Sequence, residues 1–296
     1  MRKLKFLNPQ IVDVLILDDE GSRHIKPCIP EMASFSILPI RGVIPLIVNF
    51  KFIFRVLIHI FKFKKIKDAM LFAIVDVLQP KILITQIDST NVMGRIHAEF
   101  PDKLAISVQN GVRSGPKYRT NSYSRLPVSL FYCFGEHDEL KMKSMGIKHK
   151  EYVAAGSLVY GLYKKNYREV LQNKYDVCFI SQLNFDDRDD SRIASLNEHI
   201  DSIFSSLITA CKELNLSLAV AMRYETKTPS YSAEFNHLSA IDTEGFAKII
   251  PNDFAISAGY NVSTQSNILV TVQSTLGFEM FGAGRKVLFG ASINNF

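Results

Sequence analysis

The chain has no tryptophan, and its four cysteines, Cys28, Cys133, Cys178 and Cys211, stand far apart. With no CxxC and no Cys/His pairing, a zinc module and a disulfide framework are both excluded, and a reducing, cytosolic setting fits best. A Walker loop, a GxGxxG after the first strand, an HExxH and a GxSxG elbow are all missing, and the chemistries they mark lose support with them. Histidines and carboxylates do not cluster at metal-ligand spacing, so no metal is expected; Glu136-His137-Asp138 are adjacent loop residues that point different ways. Basic residues without interleaved aromatics make nucleic acid an improbable partner. At the N-terminus, MRKLKFLNPQIVDVLILDDE is interrupted by Asn8, Pro9 and Asp13 and has no small-residue cleavage site, so it reads as a first strand, Ile11 to Leu17, and not as a leader.

What is present is a globular composition, 47% apolar and 22% charged, over 296 residues. That length suits two α/β domains better than one core. A net charge of +6 favours anionic partners such as nucleotides or lipid headgroups.

Short β-branched runs alternate with helical stretches along most of the chain. Strands are predicted at Ser34 to Ile40, Lys81 to Ile87, Leu104 to Val108, Leu130 to Phe134, Tyr152 to Ala155, Tyr175 to Ile180, Leu216 to Met222, Ile268 to Val272 and Lys286 to Phe289. Helices are predicted between them, including Asp68 to Leu78, Val92 to Phe100, Glu139 to Met145, Ile193 to Leu214 and Leu276 to Phe281. Residues 224–252 are polar and poorly patterned. This alternation predicts parallel sheets wound on both faces, in two Rossmann-like domains, 1–170 and 171–296. Only six residues follow Phe289-Gly290, so either the second domain is minimal or its C-terminal end is truncated.

The most apolar stretch, Val43 to Phe63, invites a transmembrane reading. Lys51, Arg55, His59 and Lys62 oppose it, because they recur on one helical face. Two readings of this amphipathic helix stay open: a core-packing helix with a solvated basic face, or a helix lying on an anionic bilayer.

Most of the polar, reactive residues fall at carboxyl ends of predicted strands, the edge where parallel sheets bind ligands. They include Asp18, Asp19, Asp88, Gln109, Asn110, Glu136, Ser181, Gln182, Arg223, Ser274 and Thr275. In VTVQSTLGFEMFGAGRKVLFG, at 270–290, a strand delivers Ser274 and Thr275 onto a helix N-terminus. Such a unit is either a capped helix or an anion site.

Three segments resemble bacterial surface-carbohydrate (O-antigen and capsule) biosynthesis proteins of the two-domain GT-B glycosyltransferase type. They are ILITQIDSTNVMGRIHAEFPDKLAISVQNGVRSG at 82–115, FGEHDELKMKSMGIKHKEYVAAGSL at 134–158 and ILVTVQSTLGFEMFGAGRKVLFG at 268–290, with YDVCFISQ at 175–182 as a weaker fourth. The resemblance implies a nucleotide-sugar donor on the C-terminal domain and a glycan or lipid-linked acceptor on the N-terminal one, with no cofactor or metal. With the cysteine usage and the basic helix at 46–63, such an enzyme is expected in the cytoplasm, with that helix at the inner face of the plasma membrane. A sugar-nucleotide epimerase and a non-catalytic assembly partner share the architecture and are the alternatives. More distantly, the QNGVRS loop resembles the acidic loop of β-Kdo transferases, with Gln109 and Asn110 where that family has acids; Asn267 likewise stands where an Asp is common.

Glycosyl transfer needs the leaving phosphate charge stabilised and the acceptor deprotonated. Under this resemblance Ser274 and Thr275, with the amides of Leu276 and Gly277, form the phosphate cradle, and Arg223 is a second phosphate ligand. Gln182 contacts the donor and Glu279 its ribose. Asp88 and Glu136 are the candidate catalytic acids, and Gln109, Asn110, Gly111 and Arg113 the candidate acceptor or sugar ligands.

Overall fold

Successive residues of the first strand serve two different cores. In β1 (Val14–Leu17) all four side chains are buried. Leu15 and Leu17 join one apolar cluster and Val14 and Ile16 another, as period-2 alternation requires of a strand covered on both faces. The structure is a computed structural model that describes residues 10–40, 50–63, 66–88, 90–112, 126–167, 173–186, 191–253 and 258–290.

Around β1 lie β2 (Phe35–Leu38) and β3 (Ile82–Thr85), both parallel, with Val14 opposite Phe35 and Ile82. Adding β4 (Leu104–Val108), β5 (Leu130–Cys133) and β6 (Glu151–Ala154) completes a parallel sheet ordered β2-β1-β3-β4-β5-β6. Helix Ile66–Leu78 covers one face and buries Leu71, Phe72, Ile74, Val75 and Leu78. Each such side chain contributes roughly 1.5–3 kcal/mol of transfer free energy.

The second sheet repeats the scheme. In β7 (Tyr175–Ile180), Val177 and Phe179 pack with Phe204 of helix Ser191–Glu213, while Cys178 and Ile180 join Tyr260 and Met280. With β8 (Leu218–Glu225), β9 (Lys248–Asn252), β10 (Ser266–Thr271) and β11 (Lys286–Phe289), the order is β11-β10-β7-β8-β9, again all parallel. Strand order reverses between β1 and β3 in one sheet and between β7 and β10 in the other. A crevice opens at such switch points, outside the carboxyl ends of the strands.

The chain divides into two compact units, Met1–Leu158 and Val159–Phe296. The division falls at the start of helix Leu158–Asn166; residue 170, the boundary expected from sequence, lies outside the described residues. All four cysteines are free thiols.

Three expectations need correction. Residues 224–252 contain helix Pro229–Ile241 and strand β9. The Thr228-Pro229 start was a legible signal, but Glu234 occupies a fully buried position and breaks the apolar period. Helix Glu136–Ser144 begins three residues earlier than expected, so Glu136 stands in a first helical turn rather than a loop.

The third correction concerns helix Phe50–Phe63, whose polarity is inverted. Three members of its basic stripe meet the protein: His59, buried, lies 2.9 Å from Asp76, Arg55 lies 3.7 Å from the same carboxylate, and Lys62 lies 2.7 Å from Glu99. Phe52 packs beside them into the core. Helical spacing showed that the cations share a face, but only packing against Asp76 and Glu99 decided where that face points. Among the described residues no helix is long and apolar enough to cross a membrane.

Candidate functional site

At the second switch point, Gln182 follows β7 and reaches toward the end of β10. Its Oε1 accepts the Gln273 backbone N–H at 2.7 Å and the Thr271 hydroxyl at 3.0 Å. The Gln182 carbonyl in turn accepts Arg223 Nη1 at 3.3 Å, and the Leu183 carbonyl accepts the same nitrogen at 3.1 Å. Arg223 is exposed near the end of β8 with its guanidinium 5.2 Å from the Tyr224 ring centre. One run of hydrogen bonds therefore links Arg223, Gln182 and the Gln273-Ser274-Thr275 turn, residues that lie far apart in sequence.

The turn leads into helix Thr275–Gly282. Ser274 occupies the N-cap position with extended backbone, φ −66° and ψ 137°, but its side chain makes no capping hydrogen bond. The expectation of a serine cap is thus met in position and not in bonding. Helix N-terminal amides lack intrahelical partners and carry the positive end of the dipole, which favours an anion. Gly277 lets this helix approach β10 closely: a Cβ there would sit 2.5 Å from Thr271 Cγ2. Leu276 is partly buried in the apolar cluster beneath. Glu279, one turn on, accepts the Tyr260 hydroxyl at 2.6 Å.

Beneath this edge lies an acid that sequence reasoning missed. Glu234 Oε1 accepts the Ser181 hydroxyl at 2.5 Å and the Arg223 N–H at 3.0 Å, while Oε2 accepts the Tyr224 N–H at 2.9 Å. Burial raises its pKa above the ordinary carboxylate value, against the pull of these donors. It ties the ends of β7 and β8 together under Arg223. A single Glu inside a polar stretch carried no signal that could have found it.

In the first unit, Asp88, Gln109, Asn110, Gly111 and Glu136 all follow the carboxyl ends of β3, β4 and β5. Gln109 is buried and used internally: Nε2 donates to the Gly111 carbonyl at 3.0 Å and Oε1 accepts the Phe134 N–H at 3.1 Å. It clamps the ends of β4 and β5, while Asn110 is exposed and Gly111 buried. Asp88 is buried and lines a small cavity with Thr90, Ser107 and His149. His149 Nδ1 accepts the Val128 N–H at 3.2 Å and its ring stacks on Phe131 at 4.7 Å. Burial pushes its imidazole down to about 4, so it is neutral near pH 7. Glu136 is exposed and, with Asp138 and Glu139, complements the positive end of its helix. Arg113 lies outside the described residues. Among the described residues no group of three or more His, Cys, Asp or Glu side chains is arranged to hold a metal ion.

A family described as "putative O-antigen biosynthesis protein" matches residues 106–293, more than half of the chain and including the second unit's switch point. The chain belongs to this family. No curated protein matches it. Among solved structures, the chain is similar to Staphylococcus aureus MnaA with UDP, at 12% identity, 93% of this chain and 78% of that one, TM-score 0.58. It is similar to UDP-N-acetylglucosamine 2-epimerase from Rickettsia bellii, at 11% identity, 94% and 78% coverage, TM-score 0.54. It is also similar to the H444N variant of the wall teichoic acid polymerase TagF, at 11% identity, 96% and 70% coverage, TM-score 0.50. At such identities the likeness is one of fold. This O-antigen biosynthesis protein thus has a GT-B-like architecture, two Rossmann-like domains with parallel sheets.

Proposed function

We propose that this protein is a glycosyltransferase that moves a sugar from a nucleotide-sugar donor to a growing surface glycan. One observation carries the donor half: Arg223, Gln182 and the Ser274-Thr275 helix start are held together at the switch point between β7 and β10. A diphosphate leaving group develops negative charge as the anomeric bond breaks, and donors fixed in advance lower that barrier. The amides of Leu276 and Gly277, the Ser274 and Thr275 hydroxyls and the Arg223 guanidinium supply such donors without a metal or cofactor. In this reading Val159–Phe296 holds the donor and Met1–Leu158 the acceptor, and the enzyme works in the cytoplasm.

The acceptor hydroxyl needs a base. Glu136 takes that role here because it is exposed, whereas Asp88 is buried. Asn110 and Arg113 are the acceptor or sugar ligands in this reading; Gln109 and Gly111 shape the loop that carries them. A second reading, sugar-nucleotide epimerase, is favoured by the Rickettsia bellii epimerase, whose TM-score of 0.54 exceeds the 0.50 of the teichoic acid polymerase.

Titration of CMP, UDP, GDP and CDP against wild type and Ser274→Ala/Thr275→Ala tests the donor site. Binding of one nucleotide that weakens at least about tenfold in the variant is expected, as for loss of charge-assisted hydrogen bonds. Unchanged affinity would remove the cradle. Turnover of the matching nucleotide sugar without any acceptor would select epimerase over transferase.

A further inference from the structure

We infer that the outward face of helix Phe50–Phe63 is a docking surface for an anionic lipid bilayer. An ordinary surface helix turns its apolar stripe inward and its charges out. Here Arg55, His59 and Lys62 are held against Asp76 and Glu99, and the solvent-facing stripe is apolar. Phe50, Phe54, Leu57 and Phe61 follow one another at i, i+4, i+7 and i+11, with Ile53 and Ile58 beside them, and all six are exposed. Phe50 and Phe61 are each 86% exposed. A contiguous apolar stripe of this kind, left in water, marks a surface that is covered in use.

Charge selects the occupant. Residues 50–67 contain six Lys or Arg, at 51, 55, 62, 64, 65 and 67, and no acid. Lys51 and Lys67 are exposed on the same segment as the apolar stripe. Two copies of the chain meeting through this face would set one cationic margin against another. A bilayer with acidic headgroups accepts both features: the rings enter the acyl boundary, and the ammonium groups reach lipid phosphates on flexible stems. The sense of the contact is therefore the reverse of a basic stripe laid on lipid, since apolar insertion leads and charge assists. This surface belongs to the first unit and does not depend on the nucleotide-sugar reading.

The full chain is sedimented with vesicles of phosphatidylcholine alone or mixed with phosphatidylglycerol, alongside Phe54→Gln/Leu57→Gln/Phe61→Gln. Wild type should bind the mixed vesicles and retain part of that binding in high salt, and the triple variant should bind at least about tenfold less. The altered side chains are exposed, so the circular dichroism and melting of the variant should match wild type. Because the chain has no tryptophan, Phe61→Trp provides a single emitter whose fluorescence should shift to the blue on the mixed vesicles. Equal sedimentation of wild type and triple variant, or an unmoved tryptophan spectrum, overturns the inference. A wild-type dimer that ignores vesicles and becomes a monomer in the triple variant overturns it as well, in favour of a second copy.

Discussion

The Glu234 carboxylate accepts the Ser181 hydroxyl at 2.5 Å, with no part of the Glu234 side chain open to solvent. Its remaining bonds take the backbone N–H groups of Arg223 and Tyr224. A helix absent from the sequence pattern thereby holds the edge from which Arg223 projects.

Removing that carboxylate strands three donors in a dry site. Glu234→Ala should cost about 3 kcal/mol in urea unfolding, since each buried unsatisfied group costs about 1–3 kcal/mol. The pH dependence has a definite sign. Burial raises the folded-state pKa above the ordinary value of 4.5, so the native state holds the proton more tightly than the unfolded one. The stability Glu234 contributes is full below 4.5 and is lost as pH rises through the folded value. The advantage of wild type over Glu234→Gln should narrow from acid toward neutral pH. An advantage that widens over that range would contradict the burial cause.

His149 titrates in the opposite sense. Its folded pKa is depressed to about 4 from 6.5. The stability it contributes is present above 6.5 and is lost as pH falls toward 4, because the unfolded chain takes up the proton first. In NMR titration the His149 ring signals should move with a midpoint near 4. A midpoint near 6.5 would show that the ring is not buried against Phe131.

Gly277→Ala should destabilise the second unit by about 1–2 kcal/mol, although Ala is the better helix former by about 1 kcal/mol. The new methyl would press on Thr271 Cγ2, and Thr271 cannot turn away without breaking its hydrogen bond to Gln182. Thr271→Ser keeps the hydroxyl and removes that methyl. In a denaturant-based double-mutant cycle, Thr271→Ser should therefore relieve most of the Gly277→Ala cost. Simple addition of the two effects would point to a cause other than this contact.

Much of the scaffold was legible because parallel strands buried on both faces leave an unbroken mark. Leu104–Val108 and Tyr175–Ile180 begin and end where their apolar runs do. The switch-point residues were legible only as members of strand ends. That Gln182 bridges Gln273 and Arg223, and that Gln109 is spent on Gly111 and Phe134, depends on side chains meeting across gaps of up to 91 positions, which local pattern cannot register.

By itself the sequence determined the α/β class, the parallel sheets, the duplicated arrangement and the edge on which the polar residues gather, since all of these follow from local periodicity and turn chemistry. Tertiary structure alone decided which side of each amphipathic element meets the protein. For helix Phe50–Phe63 the spacing defines two faces and is silent about direction. Pairing with Asp76 and Glu99 turned Arg55, His59 and Lys62 toward the protein and left Phe50, Phe54 and Phe61 outside. The same rule buried Glu234, because a carboxylate can leave water only where a fold brings it donors from several distant strands.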